Sequence, residues 1–190
     1  METTTHARNA FGLLKDTVMT KLLAEKEKEY HCHIRFVRDI GIRLASEYGA
    51  DPKLIEIACL LHDIGREHEI GEEDHGDAGA RIAAPVLGEG PFDVTQQALI
   101  LRCIANHCKE VPEEGLSVEE KIVITADAAS KVLFHEAFML MCKKQTYQER
   151  LAWARKYLEK GYRNILFPAY REEVRPRYEI IKEIYNAVAG

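Results

Sequence analysis

The stretch CLLHDIGREHEIGEEDHGDAGARI, residues 59–82, places His62 and Asp63 side by side directly after Ile57, Ala58, Cys59, Leu60 and Leu61. The apolar run reads as protein core. A bare charge buried there would cost several kcal/mol or more, comparable with the roughly 5–15 kcal/mol that holds a whole domain together. Some partner must compensate the pair.

Working outward, GADP at 49–52 supplies a helix cap in Asp51 and a first-turn proline in Pro52. Leu54, Ile55, Ala58, Leu61 and His62 then trace one buried stripe that ends near Gly65, so the His-Asp pair closes a helix. Upstream, Ile34, Val37, Gly41, Leu44 and Tyr48 recur at helical spacing until Gly49, with His33 on the same inward face. Downstream, residues 67–74 form an acidic, glycine-bearing loop, and HGDAGARIAAPVL restarts a helix with His75 near its beginning. GEGP at 88–91 breaks that helix, and Val94, Ala98, Leu101, Ile104 and Ala105 lead helically to Asn106 and His107. After the loop KEVPEEGLS, Ser117 and Glu120 read as a capping box. The helix it opens encloses Asp127 between Ile124, Ala126 and Ala128, a second buried carboxylate. QERLAWARKYLEKG and YEIIKEIYNAVAG are helical by period, and no alternating strand stands out. The expected fold is all-α: a single compact helical bundle over residues 1–190, with the candidate site in 30–131 and a C-terminal helical extension over 132–190.

With 46% hydrophobic and 30% charged residues, the chain has the composition of a soluble globular protein with its own core. A net charge of -5 argues against a partner such as a nucleic-acid polymer, whose phosphates call for clustered Lys and Arg, while a small phosphorylated ligand stays open. The five cysteines form no C-x-x-C pair and read as reduced thiols, which suggests the cytoplasm. No basic apolar leader opens the sequence, and no uncharged run approaches the ~20 residues that cross a bilayer, so a membrane partner is not expected.

Five helical stretches thus present metal-capable side chains: His33, His62 with Asp63, His75, His107 and Asp127. Any one histidine alone is more often a satisfied core residue than a ligand. Together they suit a divalent cation, which neutralises carboxylates and takes the lone pairs of neutral imidazoles. Mixed His and carboxylate donors favour Mn, Fe, Co, Ni or Zn, with Mg also open.

The set H, then HD, then D along an all-helical chain resembles the HD superfamily of metal-dependent phosphohydrolases. HIRFV is similar to the first histidine motif, LLHDIG to the signature dipeptide and ITADAAS to the final aspartate. The further histidines in HGDAGA and IANHC resemble the six-ligand branch that holds two metals. The resemblance implies that His33, His62, Asp63 and Asp127 hold one ion, and that His75, His107 and a bridging Asp63 hold the other. It also implies a hydrolase of small, nucleotide-like phosphoesters. HDIGRE lacks the acidic pair of alarmone hydrolases, and no Gly-Tyr-Pro follows His107 as in cyclic-dinucleotide phosphodiesterases.

Two cations ~3.5–4 Å apart activate water and neutralise phosphoryl oxygens. Alongside Asp63, Arg66 and Lys109 are the candidate catalytic cations, with Lys131 a third; the bland reading of each is a solvated surface charge. Asp63 or Glu67 could assist proton transfer, and the general base stays unassigned. His31 lies about 200° around the helix from His33 and is not expected to share its site. His6, His68 and His135 lack a matching apolar frame, and the acidic run Glu72, Glu73 and Asp74 reads as solvated. Trp153 and the tail tyrosines are expected to pack helices, with Tyr162, Tyr170 and Arg171 as candidates to close over a substrate. Two competing functions use the same ligands: a di-iron oxygenase, and a catalytically silent binding module, for which a broken ligand set would be expected.

Overall fold

Helix starts in this chain are set by side chains that accept the first-turn amides a helix leaves unpaired. The computed structural model describes residues 2–109 and 112–188, with side chains described from residue 10; His6 lies outside these. The helices are α1 (Glu2–Glu25), α2 (Glu27–Glu29), α3 (Arg35–Tyr48), α4 (Pro52–Leu61), α5 (His75–Gly88), α6 (Val94–Asn106), α7 (Val118–Leu133), α8 (His135–Met139), α9 (Tyr147–Arg163) and α10 (Pro168–Ala187). No strand occurs among the described residues. The protein is all-α, as its periodicity predicts.

Asp51 caps α4 through Lys53 N, and Ser117 with Glu120 closes the expected capping box of α7. Asp74, in the run read as solvated, instead caps α5 by accepting from Gly76 N and Asp77 N. Two capping boxes not read from the sequence, Asp93 with Gln96 and Thr146 with Glu149, open α6 and α9. The α10 helix begins ten residues before the stretch its period suggested and runs through Pro176.

Every residue of α7 from Ile122 to Val132 is buried, because α3, α4, α6, α9 and α10 all pack against it. The α4 helix is equally enclosed from Leu54 to Leu61, and its one acid, Glu56, is met by Lys15 of α1 at 2.7 Å. One apolar cluster runs from Leu14 to Ile181. No helix among the described residues is long and apolar enough to cross a membrane.

Two local features position the site. Residues Tyr30–Ile34 form a π-helical turn in which Arg35 N–H donates to Tyr30 O, and Cys32, His33 and Ile34 within it are all buried. The second feature is the turn after His62-Asp63, which passes beneath α5. A Cβ at Gly65 would lie 2.2 Å from His75 O and 2.3 Å from Gly79 N, so only glycine allows this approach.

Candidate metal centre

The six expected side chains converge from five segments. His33 comes from the π-helical turn, His62 and Asp63 from the end of α4, His75 from the start of α5, His107 from just past α6, and Asp127 from the middle of α7. His33 Nε2 lies 3.3 Å from His62 Nε2 and 3.0 Å from Asp127 Oδ1. His75 Nε2 and His107 Nε2 face each other at 3.2 Å. Asp63 stands between the two groups: Oδ2 lies 3.8 Å from His33 Nε2 and 3.5 Å from His62 Nε2, and Oδ1 lies 3.6 Å from His75 Nε2 and 3.4 Å from His107 Nε2.

The outer ring nitrogens decide what the inner ones offer. His62 Nδ1 donates to Cys59 O at 2.8 Å and His107 Nδ1 to Ile104 O at 2.7 Å, which leaves each Nε2 with a lone pair. For His33 the same result arises through Ser130, whose hydroxyl donates to Asp127 O at 2.8 Å and so accepts from His33 Nδ1–H at 3.1 Å. Burial holds His62 neutral, its pKa pushed down to about 3, and lowers His75 to about 4. Burial alone would raise Asp63, but the Arg66 guanidinium beside it holds its carboxyl well below the usual range. At Asp127 the same penalty is outweighed by Lys131.

A nearby buried carboxylate shows what satisfaction looks like. Glu120 accepts from Arg102 at 2.6 Å, Asn106 at 2.7 Å and Ser117 N at 3.0 Å. Asp63 Oδ1 is ion-paired with Arg66 Nε at 2.7 Å, and beyond that pair neither atom meets a hydrogen-bond partner. A buried carboxylate met by one guanidinium and ringed by imidazole nitrogens fits a cation, and the groups His33, His62 and Asp63, and His75, His107 and Cys108, can each hold a divalent metal.

Two cavities meet here. The larger, about 320 Å³, is lined by His33 and Asp63; the smaller, about 100 Å³, by His75, His107 and Asp127. Arg66, Lys131 and Tyr157 line both. Burial opposes the Arg66 charge, but Asp63 beside it raises its pKa and keeps it protonated. Lys131 donates to Asp127 Oδ2 at 2.6 Å. Lys109 lies apart, bound to Asp77 Oδ1 at 2.5 Å and facing neither cavity, because the turn after His107 aims it back along α5. Glu67 is exposed at the rim of the larger cavity and paired with Lys143.

The other histidines behave as their frames suggest: His31 and His68 are exposed. His135 is buried, but Lys131 O and Tyr185 Oη satisfy both its nitrogens. The tail departs from expectation. Tyr170 is buried in the core, Tyr162 stacks on Tyr178, and Arg171 donates to Ile165 O, so none of them covers the site. Trp153 and Tyr157 line the larger cavity instead. Cys108, whose neighbour His107 was the only hint, lines the smaller one, and burial raises its thiol to about 11.

The HD domain family model matches residues 30–131. Ribonuclease Y of Borreliella burgdorferi is 37% identical over 101 residues, 52% of this chain and 18% of that protein. Ribonuclease Y of Enterococcus faecalis is 38% identical over 89 residues, 46% and 15%, and that of Clostridium tetani 32% over 124 residues, 63% and 22%. The chain therefore spans about a fifth of the length of the curated relatives it matches. A crystal structure of a predicted HD superfamily hydrolase from an uncultured Thermotogales bacterium shares the fold, with a TM-score of 0.57 at 22% identity over 97% of this chain and 91% of that one.

Proposed function

The chain belongs to the HD domain family, a family of metal-dependent hydrolases, and we propose that it cleaves a phosphate ester or anhydride of a small, nucleotide-like substrate. The observation that carries this reading is Asp63, buried, with one oxygen turned to His33 and His62 and the other, paired with Arg66, to His75 and His107. His33, His62, Asp63 and Asp127 would hold one divalent ion, and His75, His107 and Asp63 a second. Such ions would supply a water that loses its proton near neutral pH and would neutralise charge on the phosphoryl oxygens.

The protein's own groups do the rest. The bonds from Cys59 O, Ile104 O and Ser130 Oγ keep three imidazoles in the tautomer that presents Nε2. Arg66 and Lys131, at the junction of the two cavities, place fixed positive charge where a phosphoryl group in either would develop negative charge. Burial strengthens these interactions by lowering the local dielectric.

The ribonuclease Y similarity favours a second reading, in which the phosphodiester belongs to an RNA strand. The net charge of -5 favours the small substrate. A hydrolysis screen with Mn, Fe, Co, Ni, Zn and Mg tests both, read as released phosphate for nucleotides and simple esters and as chromatographically separated products for dinucleoside polyphosphates and a short oligoribonucleotide. Asp63→Ala should abolish turnover with every metal while helical circular dichroism survives. Activity retained in that variant would remove the site assignment, and oxygen uptake by an iron-loaded sample would point to the oxygenase.

A further inference from the structure

Resting on the phosphohydrolase reading, we infer that Trp153 and Tyr157 of α9, backed by Phe138 of α8, form a base-recognition wall, so that the substrate is a nucleotide whose base lies against these rings while its phosphate reaches Asp63. All three residues fall beyond residue 131, where the family match ends. They are a feature of this chain's own C-terminal part.

The rings form a continuous path from the metal centre. His33 meets Phe138 edge-on at 5.5 Å, Phe138 stacks on Trp153 at 5.1 Å with 12° between planes, and Trp153 meets Tyr157 at 4.6 Å. Phe138 is buried, whereas Trp153 and Tyr157 are half-buried and line the larger cavity. The α9 helix is held at this distance because Gly161 packs on α7, where a Cβ would lie 2.9 Å from Ala128 O.

The chemistry of the lining selects the ligand. The apolar part of the wall is aromatic apart from Met141, which suits a flat π-system better than an acyl chain. Arg66, Lys131, Lys26 and Lys28 line the same cavity, so the rings stand beside cations, as a nucleoside phosphate requires; Glu29 and Glu69 share the lining, and Lys143 there is neutralised by Glu67. Lys26 is buried and fixed by a 2.6 Å bond to Arg66 O, which ties this cationic side to the turn after Asp63. A volume of about 320 Å³ is that of a small-molecule site. A phosphorylated sugar without a base would leave the rings wet.

Trp153 is the sole tryptophan of the chain, so its fluorescence reports on the wall directly. The four ribonucleoside 5'-monophosphates are titrated against ribose 5-phosphate in wild-type protein and in Asp63→Ala, with excitation at the red edge of the tryptophan band. Saturable quenching by at least one nucleotide in both proteins, with none from ribose 5-phosphate, is the expected result. In equilibrium dialysis Trp153→Ala should weaken that nucleotide about tenfold, or about 1.4 kcal/mol, while Trp153→Phe stays within about twofold and ribose 5-phosphate binds all three proteins alike. Absence of quenching by every nucleotide, or equal loss of nucleotide and sugar phosphate in Trp153→Ala, overturns the inference. The two readings fail separately: base-dependent quenching without metal-dependent turnover of any phosphoester removes the hydrolase and leaves the wall. Turnover that treats ribose 5-phosphate and the nucleotides alike does the reverse.

Discussion

Replacing Ser130 with alanine should weaken metal binding far more than it weakens the fold. Ser130 is 1% exposed, and its hydroxyl links Asp127 O at 2.8 Å to His33 Nδ1 at 3.1 Å, across 97 residues of sequence. Without it, His33 Nδ1–H would be a buried donor lacking an acceptor, a cost of about 1–3 kcal/mol. The imidazole has an escape: the proton can move to Nε2 and be donated to Asp127 Oδ1, 3.0 Å away. That tautomer preserves most of the stability of the metal-free protein and removes the lone pair a cation needs. Loss of such an orienting partner costs about 10- to 100-fold in metal affinity, or about 1.4–2.7 kcal/mol. The expected change in metal-free stability is about 1 kcal/mol. Titration calorimetry of Mn into metal-free protein, run beside urea denaturation, separates the two quantities. Ser130→Ala that binds Mn within twofold of wild type, or that loses more stability than affinity, would refute the tautomer argument and make Ser130 a packing residue.

Acid should destabilise the metal-free protein well above the usual carboxylate range. Burial lowers His62 to about 3 and His75 to about 4, whereas in the unfolded chain both titrate near 6.5, so the unfolded state takes up protons that the native state refuses. Their contribution is fully present above the unfolded value and lost as pH falls through it, about 3–4 kcal/mol for the pair between pH 7 and 5. Urea midpoints across that range measure it, and a loss under about 1 kcal/mol would mean that the imidazoles are not neutral in the native state. Gly65→Ala should cost about 3 kcal/mol or more, because its methyl would meet His75 O and the Gly79 backbone within 3 Å. Gly88→Ala, with nothing within 4 Å of its Cβ, is the matched control and should leave the urea midpoint within about 0.5 kcal/mol of wild type.

Local chemistry made much of this protein readable from its sequence. Asp51, Pro52, Ser117 and Glu120 mark helix starts because capping is decided within four residues. His33, His62, Asp63, His75, His107 and Asp127 stand out because apolar periodicity shows which way each faces, and polar groups facing inward need a partner. Periodicity carries no information about what lies across the interface. It did not reveal the π-helical turn that carries His33, nor that Asp63 divides its oxygens between two histidine pairs. Lys109 and Lys131 look alike in sequence, each close after an inward-facing site residue, yet one meets Asp77 at the surface and the other Asp127 at the junction of two cavities. Trp153 reads as ordinary helix packing and lines the larger cavity only because Gly161 lets α9 lie close on α7. Which helix crosses which, and how closely, is settled by packing between residues far apart in the chain, and only the tertiary structure contains it.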